Sequence, residues 1–213
     1  NLGGTLKVLG KSDEAEASFR QAIALKPDYA EAHSNLGNTL QELGRLDGAE
    51  ASYRQAIALK PDFAEAHSNL GGTLKVLGKS DEAEASCRQA IALKPDLAEA
   101  HSNLGVLCFE SRRYVQAAKH FELSGDTHLS KLYALQCSYL QDEASIFHRK
   151  YDLLVSQGEI NAVIGSLGVR SEFEYGTKKA NPFCNEPFKY VVRTDLRTQY
   201  EFEKIFVQTA REV

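Results

Sequence analysis

Apolar residues in the first half of the chain recur every three or four positions, which is the pattern of amphipathic helices. In the stretch 35–68, Leu36 and Leu40 give a first helix one apolar face, and Gly44 stands where that helix is expected to end. A second amphipathic helix follows, and Pro61 ends it because the residue before a proline is disfavoured in the α region. The pattern therefore predicts two helices within this stretch.

The two-helix pattern repeats along the chain with a period of 34 residues, the spacing from position 35 to position 69. Equivalent asparagines mark the copies at Asn1, Asn35, Asn69 and Asn103. The first and third copies differ only by Phe19 against Cys87 and by Tyr29 against Leu97. A fixed period of this length predicts a helical solenoid, in which each copy buries its apolar face against its neighbours.

Acidic residues precede or begin each expected helix. Asp47 with Glu50, and Asp62 with Glu65, have the spacing of a capping box in which Asp replaces Ser or Thr. We therefore expect side-chain caps at the start of both helices of each copy.

These residues resemble the tetratricopeptide repeat (TPR), whose pattern places Leu-Gly in a first helix (A) and Ala, an aromatic, Ala and Pro in a second helix (B). The second copy supplies Leu36, Gly37, Leu40, Ala49, Tyr53, Ala56 and Pro61, and the third supplies Leu70, Gly71, Leu74, Ala83, Cys87, Ala90 and Pro95. The resemblance implies an all-α, right-handed superhelical solenoid. Its A helices would line a concave face that binds peptides.

We divide the chain into three parts. Residues 1–125 hold repeats that start at 1, 35, 69 and 103, the first one truncated because the chain begins inside the family pattern. Residues 126–167 are expected to form a degenerate helical repeat that caps the stack, since a terminal repeat must cover its last apolar face. Residues 168–213 lose the helical period, and we expect an irregular tail there. This tail would be a linker or the start of a downstream domain in a longer protein.

The run from 158 to 196 is similar to a linker in certain bacterial TPR proteins, where it precedes a domain assigned as a 2-oxoglutarate/Fe(II)-dependent oxygenase. Such a domain needs a His-x-carboxylate pair and a distal His to bind iron, and the sequence holds no such set before Val213. The repeats also resemble the repeat region of the O-linked N-acetylglucosamine transferases. Both resemblances imply an alternative function, the recruitment of substrate to a catalytic domain that lies downstream.

Composition narrows the classes of function. The net charge is −4 with no basic stripe, so we expect no nucleic-acid partner, and no apolar run is long enough to span a bilayer. Four cysteines lack paired spacing, which favours buried free thiols in a reducing compartment, the cytoplasm. These cysteines are Cys87, Cys108, Cys137 and Cys184. The sequence does not indicate an oligomeric state.

Histidine is the residue type with the clearest potential for chemistry. The residues His33, His67 and His101 share one A-helix position and are too far apart for one metal site, so we expect a packing role. The pair His120 and Glu122 has the spacing H-x-E, but residues two apart do not share a helix face. We therefore expect no catalytic residue, no metal site and no cofactor in this chain.

The remaining candidate site is the A-helix face. Asn35, Asn69 and Asn103 would form a ladder whose amides pair with the backbone of an extended peptide, because each amide offers a donor and an acceptor. This is the role that the resemblance to the O-linked transferases implies. The same side chains could instead tie adjacent helices together, and the sequence leaves both interpretations open. The neighbouring groove positions are predicted to be Ser34, Asn38, Gln41, Ser68, Gly72, Lys75, Ser102 and Phe109. The expected partner is a protein or peptide segment.

Overall fold

A computed structural model describes residues 11–159 and 162–176. These residues form ten α-helices: α1 (Ser12–Leu25), α2 (Ala30–Glu42), α3 (Leu46–Leu59), α4 (Ala64–Val76), α5 (Ser80–Leu93), α6 (Ala98–Glu110), α7 (Tyr114–Leu123), α8 (His128–Leu140), α9 (Ala144–Ser156) and α10 (Ala162–Tyr175). No strand occurs in the described ranges. The prediction of an all-α helical solenoid is confirmed.

The chain divides into two compact units, residues 1–137 and 138–213. In the first unit, α2 with α3, α4 with α5 and α6 with α7 are the A and B helices of the second, third and fourth repeats. Each of the helices α1 to α5 also packs on the A helix of the next repeat. The A helices α2, α4 and α6 contact one another along the stack more closely than the B helices do. The A helices therefore form the inner side of this unit.

The second unit contains α9 and α10, which pack on each other. Helix α10 continues to Tyr175, so the expectation of irregular chain from residue 168 is wrong for 168–175. A Cβ at Gly168 would overlap the ring of Tyr151, so the glycine lets α10 lie close to α9. The rest of the predicted tail, from residue 177, lies outside the described residues.

Small residues bring the A and B helices of one repeat together. Gly37 faces the ring of Tyr53, and a Cβ on Gly37 would lie 2.6 Å from a ring carbon. In the fourth repeat, a Cβ on Gly105 would lie 2.8 Å from a ring carbon of Phe121. Tyr53 and Phe121 are fully buried or nearly so, at 0% and 2% exposure. Each aromatic B-helix residue thus fills the space that an A-helix glycine leaves.

The predicted capping boxes are wrong. Helix α3 begins at Leu46 after Arg45, α4 begins at Ala64 after Phe63, and neither of these cap positions makes a side-chain cap hydrogen bond. Asp47 lies one residue inside its helix. Glu65 likewise lies one residue inside its helix. A carboxylate in the first turn still interacts favourably with the positive end of the helix dipole.

The ends of the A helices follow the repeat more closely. Gly44 and Gly78 adopt positive φ angles of 72° and 75°, as expected of glycines that terminate helices. The fourth repeat has Arg112 at the equivalent position with φ 57°. A non-glycine residue is strained in this left-handed region, so the fourth repeat makes the same turn at a higher conformational cost.

Ion pairs join the B helix of each repeat to the start of the next B helix. They lie 29 residues apart in the sequence: Glu16–Arg45 at 2.5 Å, Glu50–Lys79 at 2.8 Å and Glu84–Arg113 at 2.7 Å. Hydrogen bonds from Lys79 and Arg113 lower the pKa values of Glu50 and Glu84. The carboxylate side chains of Glu50 and Glu84 are mostly buried, whereas their partners are more exposed. We call these three pairs the outer ladder.

Candidate functional site

The three described asparagines of the predicted ladder lie half-buried on the inner side, one each on α2, α4 and α6. Asn69 donates its Nδ2–H to Oδ1 of Asn38 on the preceding A helix, at 2.8 Å. Asn103 has Oδ1 3.4 Å from Nζ of Lys75 and Nδ2 3.5 Å from the carbonyl oxygen of Ser68. Asn35 makes no side-chain hydrogen bond with any described residue. Asn69 and Asn103 therefore do tie adjacent helices, while Asn35 is available to a ligand.

A polar network surrounds Asn38 in the second repeat. The hydroxyl of Tyr53 reaches Oδ1 of Asn38 at 2.7 Å and Oε1 of Gln41 at 3.0 Å, and it can donate to one of them at a time. The hydroxyl of Thr73 on the next A helix lies 3.2 Å from the same Gln41 oxygen and 2.9 Å from the backbone oxygen of Asn69, and it can donate to one of them at a time. Burial raises the pKa of the Tyr53 phenol, and the carboxylate of Glu99 adds to this effect. The phenol thus remains a donor, and the side-chain oxygens of this network are occupied.

The third repeat has different side chains at the same positions. Gly72 stands in place of Asn38, Lys75 in place of Gln41 and Cys87 in place of Tyr53. A Cβ at Gly72 would lie 3.2 Å from Nδ2 of Asn103, so the Asn103 amide packs closely against this glycine. Lys75 is the only Lys or Arg on α2, α4 and α6. The third repeat therefore offers a cation where the second repeat has a network of hydrogen bonds.

The other predicted groove residues differ in how much of their side chains is exposed. Ser34 and Ser68 are only 4% and 0% exposed, so neither side chain is accessible to a ligand. Ser102 is half-buried. Phe109 packs edge-on against the rings of Tyr114 and Tyr133, at 5.5 and 5.1 Å between centroids. The accessible part of the predicted site consists of Asn35, Asn38, Gln41, Asn69, Gly72, Lys75, Ser102 and Asn103. Asn1 lies outside the described residues.

The repeated histidines connect each A helix to the loop before it. In each case Nε2 of the histidine lies close to the carbonyl oxygen of the proline six residues before it. The distances are 3.0 Å for His33 and Pro27, 3.0 Å for His67 and Pro61, and 2.8 Å for His101 and Pro95. A carbonyl oxygen only accepts, so Nε2 of each histidine carries the proton and donates it. This contact gives the three histidines the structural role that the sequence predicted.

A second histidine contact is specific to the fourth repeat. Nδ1 of His101 lies 3.0 Å from Nδ1 of His120, and the ring centroids are 5.3 Å apart. Because Nε2 of His101 donates to Pro95, its Nδ1 accepts when the ring is neutral, and His120 donates. Burial, followed by the proximity of His101, lowers the pKa of His120. Two imidazolium rings cannot share this contact, so the fourth repeat favours at least one neutral histidine.

Metal ligands and thiols are two kinds of reactive group to consider among the described residues. No group of three or more His, Cys, Asp or Glu side chains is placed to hold a metal ion within these ranges. Cys87 and Cys108 are buried and form no disulfide with a described residue. Burial raises the pKa of the Cys87 thiol to about 12, so this sulfur is protonated and a poor nucleophile at neutral pH.

Sequence analysis missed the hydroxyl of Tyr53 as the centre of the second-repeat network. Tyr53 was identified there only as the aromatic residue of the family pattern in helix B, a position that is also buried at Phe121 and Cys87. The available signal was covariation between copies, since Tyr53 occurs in the repeat that also has Asn38 and Gln41. The outer ladder was also missed, although an acidic residue is followed by a basic one 29 residues later in three successive copies.

Comparison with known protein families agrees with this geometry. A family model described as "TPR repeat" matches residues 6–44 and 37–78, and one described as "Tetratricopeptide repeat" matches residues 69–124. Together these matches cover more than half of the chain, and the protein belongs to the TPR family. Membership of this family supports a protein–protein interaction module, and the TPR fold is typically non-catalytic. No match was found among curated protein sequences.

Solved structures share the fold at low sequence identity. PilF from Pseudomonas aeruginosa is similar over 93% of this chain and 92% of its own, with a TM-score of 0.74 and 24% identity. The similarity to MamA from Desulfovibrio magneticus RS-1 covers 73% of this chain and 90% of MamA, with a TM-score of 0.65 and 15% identity. YrrB is described as a TPR protein with an unusual peptide-binding site. The similarity covers 76% of this chain and 86% of YrrB, with a TM-score of 0.63 and 15% identity. Among the described helices, none combines the length and apolar character needed to cross a membrane.

Proposed function

We propose that the protein binds an extended segment of a partner protein along the inner face of its A helices. We call this face the groove, and its accessible side chains are Asn35, Asn38, Gln41, Asn69, Gly72, Lys75, Ser102 and Asn103. The observation that carries the proposal is the regular placement of Asn35, Asn69 and Asn103 on three successive A helices. A TPR neighbour of the same fold, YrrB, has a peptide-binding site.

The hydrogen-bonding capacity of the asparagines supports recognition of peptide backbone. Asn35 has both its donor and its acceptor available within the described chain. Asn69 uses Nδ2 to contact Asn38, which leaves Oδ1 for a backbone N–H of the ligand. The contacts of Asn103 are long, at 3.4 and 3.5 Å, and exchange readily for shorter ones. Each asparagine can thus bind backbone without selecting the ligand's side chains.

The module itself is proposed to act by binding and not by catalysis, and to work in the cytoplasm. The absence of a nucleophile–base arrangement from the sequence and the protonated state of Cys87 support the first point. The buried thiols Cys87 and Cys108 support a reducing compartment.

Titration of a peptide ligand tests the proposed groove. The ligand is selected from a display library of short random peptides on the full 213-residue chain. Replacing Asn35, Asn69 and Asn103 together by Ala is expected to weaken binding by about 2–4 kcal/mol, since each hydrogen bond contributes about 0.5–1.5 kcal/mol net. A matched control replaces Gln21, Gln55 and Gln89 by Ala, which removes three exposed amides at equivalent B-helix positions.

The control variant is expected to bind as the wild type does. Equal loss of affinity in both variants, with helical content preserved by circular dichroism, would contradict the groove. Equal affinity of the asparagine variant and the wild type would show that the ladder only ties the A helices together.

A second candidate function rests on the tail resemblance at 158–196, which favours a module that recruits substrate for a downstream oxygenase domain. The 213-residue chain is expected to be inert in an assay with iron, 2-oxoglutarate and candidate peptides. Succinate formation above a metal-only control would contradict the non-catalytic role of these residues.

A further inference from the structure

Three turns of nearly identical sequence carry exposed apolar side chains in the first unit. Each turn joins a B helix to the next A helix and reads Leu-Lys-Pro-Asp, followed by Tyr, Phe or Leu. The leucines are 81%, 36% and 37% exposed in chain order, and the three prolines are exposed as well. We call the three turns the turn edge, and they are residues 25–29, 59–63 and 93–97.

Ion pairs place successive turns next to one another. Lys60 in the second turn contacts Glu31, which directly follows the first turn, at 3.3 Å, and Lys94 contacts Glu65 in the same way at 3.0 Å. The neighbouring A helices α2, α4 and α6 also contact each other along the stack. Packed helices lie about 8–10 Å apart, so the turns form a row with roughly this spacing. A contiguous apolar patch with a charged border is typical of a protein interaction site.

The charges of the turn edge are not balanced. Each turn, with the first two residues of the helix after it, holds one lysine and two carboxylates. Lys26 lies over the ring of Tyr29 at 5.4 Å, and the other two lysines pair with glutamates. Asp28, Asp62 and Asp96 are exposed and make no ion pair with a described residue. The turn edge is therefore net negative, which disfavours pairing with a second copy of itself and favours a basic partner.

We propose that the turn edge binds a basic amphipathic α-helix of a partner protein. The apolar stripe of this helix packs on the three leucines, and Lys or Arg side chains beside the stripe pair with the three aspartates. Seven residues of an α-helix rise about 10.5 Å, so one apolar residue per heptad matches the spacing of the turns. An extended strand repeats its facing side chains about every 6–7 Å and loses this register. The turn edge lies at the helix ends, and the inference does not rest on the proposed groove.

The turn after the fourth repeat limits the length of the bound helix. Ser124 and Gly125 replace the lysine and the proline there, and Asp126 is already paired with Lys131 at 3.2 Å. This turn offers neither the repeated sequence nor an unpaired carboxylate. The bound helix therefore spans three turns, which corresponds to about three heptads, or roughly 21 residues.

Selection from a library of displayed 21-residue helices tests the turn edge. The library carries Leu, Ile or Phe at one heptad position, and a mixture of Lys, Arg, Glu and Gln at the two positions beside it. It is selected on the full 213-residue chain and on two triple variants. The first variant removes the charges of the turn edge: Asp28→Asn, Asp62→Asn and Asp96→Asn. The matched control removes three exposed carboxylates at the other end of the B helices: Asp13→Asn, Asp47→Asn and Asp81→Asn.

The wild type and the control variant are expected to enrich helices with Lys or Arg beside the apolar stripe, and the turn-edge variant is expected to lose this enrichment. The most enriched helix is then synthesised, and its affinity is measured by fluorescence anisotropy. At low salt, the turn-edge variant is expected to bind it about 5–20-fold more weakly than the wild type, and the control within about 2-fold.

Two further variants locate the contact. Replacing Leu25, Leu59 and Leu93 together by Ser is expected to weaken binding at least about 10-fold because the apolar contact is lost. Circular dichroism checks that this variant keeps its helical content. The groove variant with Ala at Asn35, Asn69 and Asn103 is expected to bind the helix as the wild type does.

The outcomes separate the turn edge from the groove and from self-association. A library that shows no enrichment on the wild type would overturn the turn edge, and so would equal enrichment of Lys and Arg on both aspartate variants. Loss of helix binding in the asparagine variant would place the helix in the groove instead. Self-association of the wild type in sedimentation, abolished by the leucine substitutions, would show that a second copy covers the turn edge and would also overturn the proposal.

Discussion

The second and third repeats share one backbone but present different groups on the inner face. In the second repeat, Tyr53 joins Asn38 and Gln41 in a network with buried donors. In the third repeat, Gly72, Lys75 and Cys87 occupy the equivalent positions, and the Asn103 amide packs against Gly72. The comparison shows that copies with one backbone can differ in the hydrogen bonds of their inner side chains. In the second repeat, Asn38 is held by Tyr53 and by Asn69 of the next A helix, whereas the third repeat has neither the amide nor the phenol at these positions.

Truncating the B-helix core residue provides the largest test of this comparison. Tyr53→Ala is expected to reduce the free energy of unfolding by about 3–5 kcal/mol, because it leaves a cavity and removes the donor to Asn38 and Gln41. Cys87→Ala removes one buried sulfur at the equivalent position and is expected to reduce it by about 1 kcal/mol. Urea denaturation followed by circular dichroism measures both values. Equal losses would mean that the two repeats do not differ in this way.

Acidification is expected to weaken the outer ladder, which both repeats share. The pKa values of Glu50 and Glu84 are lowered in the folded state, so their stabilisation is present above the unfolded value of 4.5 and is lost as pH falls through the folded values. Each pair is expected to contribute no more than about 1 kcal/mol. The double variant Glu50→Gln and Glu84→Gln should lose less stability between pH 7 and pH 3.5 than the wild type. Identical pH profiles would contradict a stabilising ladder.

Exchanging the turn residues of the third and fourth repeats tests the strain at Arg112. Arg112→Gly is expected to stabilise the protein by about 0.5–1 kcal/mol, because glycine adopts the left-handed conformation without strain. Gly78→Arg is expected to destabilise it by a similar amount, since no atom crowds this position and only the backbone conformation is affected. Urea midpoints report both changes, and a loss of stability in Arg112→Gly would contradict the explanation.

The contact between His101 and His120 predicts the smallest effect. Because the pKa of His120 is lowered in the folded state, the unfolded state binds more protons below pH 6.5, and stability is lost as pH falls from 6.5 through the folded value. The His120→Gln variant should show a shallower decrease in urea midpoint between pH 7.5 and pH 5.5. A variant with the wild-type slope would show that this contact does not titrate with folding.

Much of the fold could be predicted because its determinants are local and repeat. The glycines at 37, 44 and 78, the prolines at 61 and 95 and the apolar spacing each fix a helix end or a helix contact. The capping prediction failed because it placed the acidic residues at the cap, and the helices begin one residue before Asp47 and Glu65. The C-terminal part of helix α10 was not predicted, because Gly168 and the charged residues near it interrupt the helical spacing of apolar residues. The contact between Gly168 and Tyr151 of α9 cannot be read from the local sequence.

The candidate site was predictable only in outline. Periodicity placed the asparagines on one helix position, because an identical spacing gives an identical orientation in each repeat. Their hydrogen-bond partners depend on side chains from neighbouring repeats, as the contact of Asn69 with Asn38 illustrates. Burial of Ser34 and Ser68 likewise depends on packing between helices that the sequence does not specify. Such relations between copies need coordinates or the comparison of equivalent positions.

The central claim is that the inner face of the A helices binds the partner segment. Nuclear magnetic resonance on the ¹⁵N-labelled full chain, titrated with the selected peptide, tests this claim most directly. We predict shifts in the side-chain amide signals of Asn35, Asn69 and Asn103, with backbone shifts concentrated in α2, α4 and α6. Shifts confined to the exposed faces of α3 and α5, with these amide signals unchanged, would contradict the account.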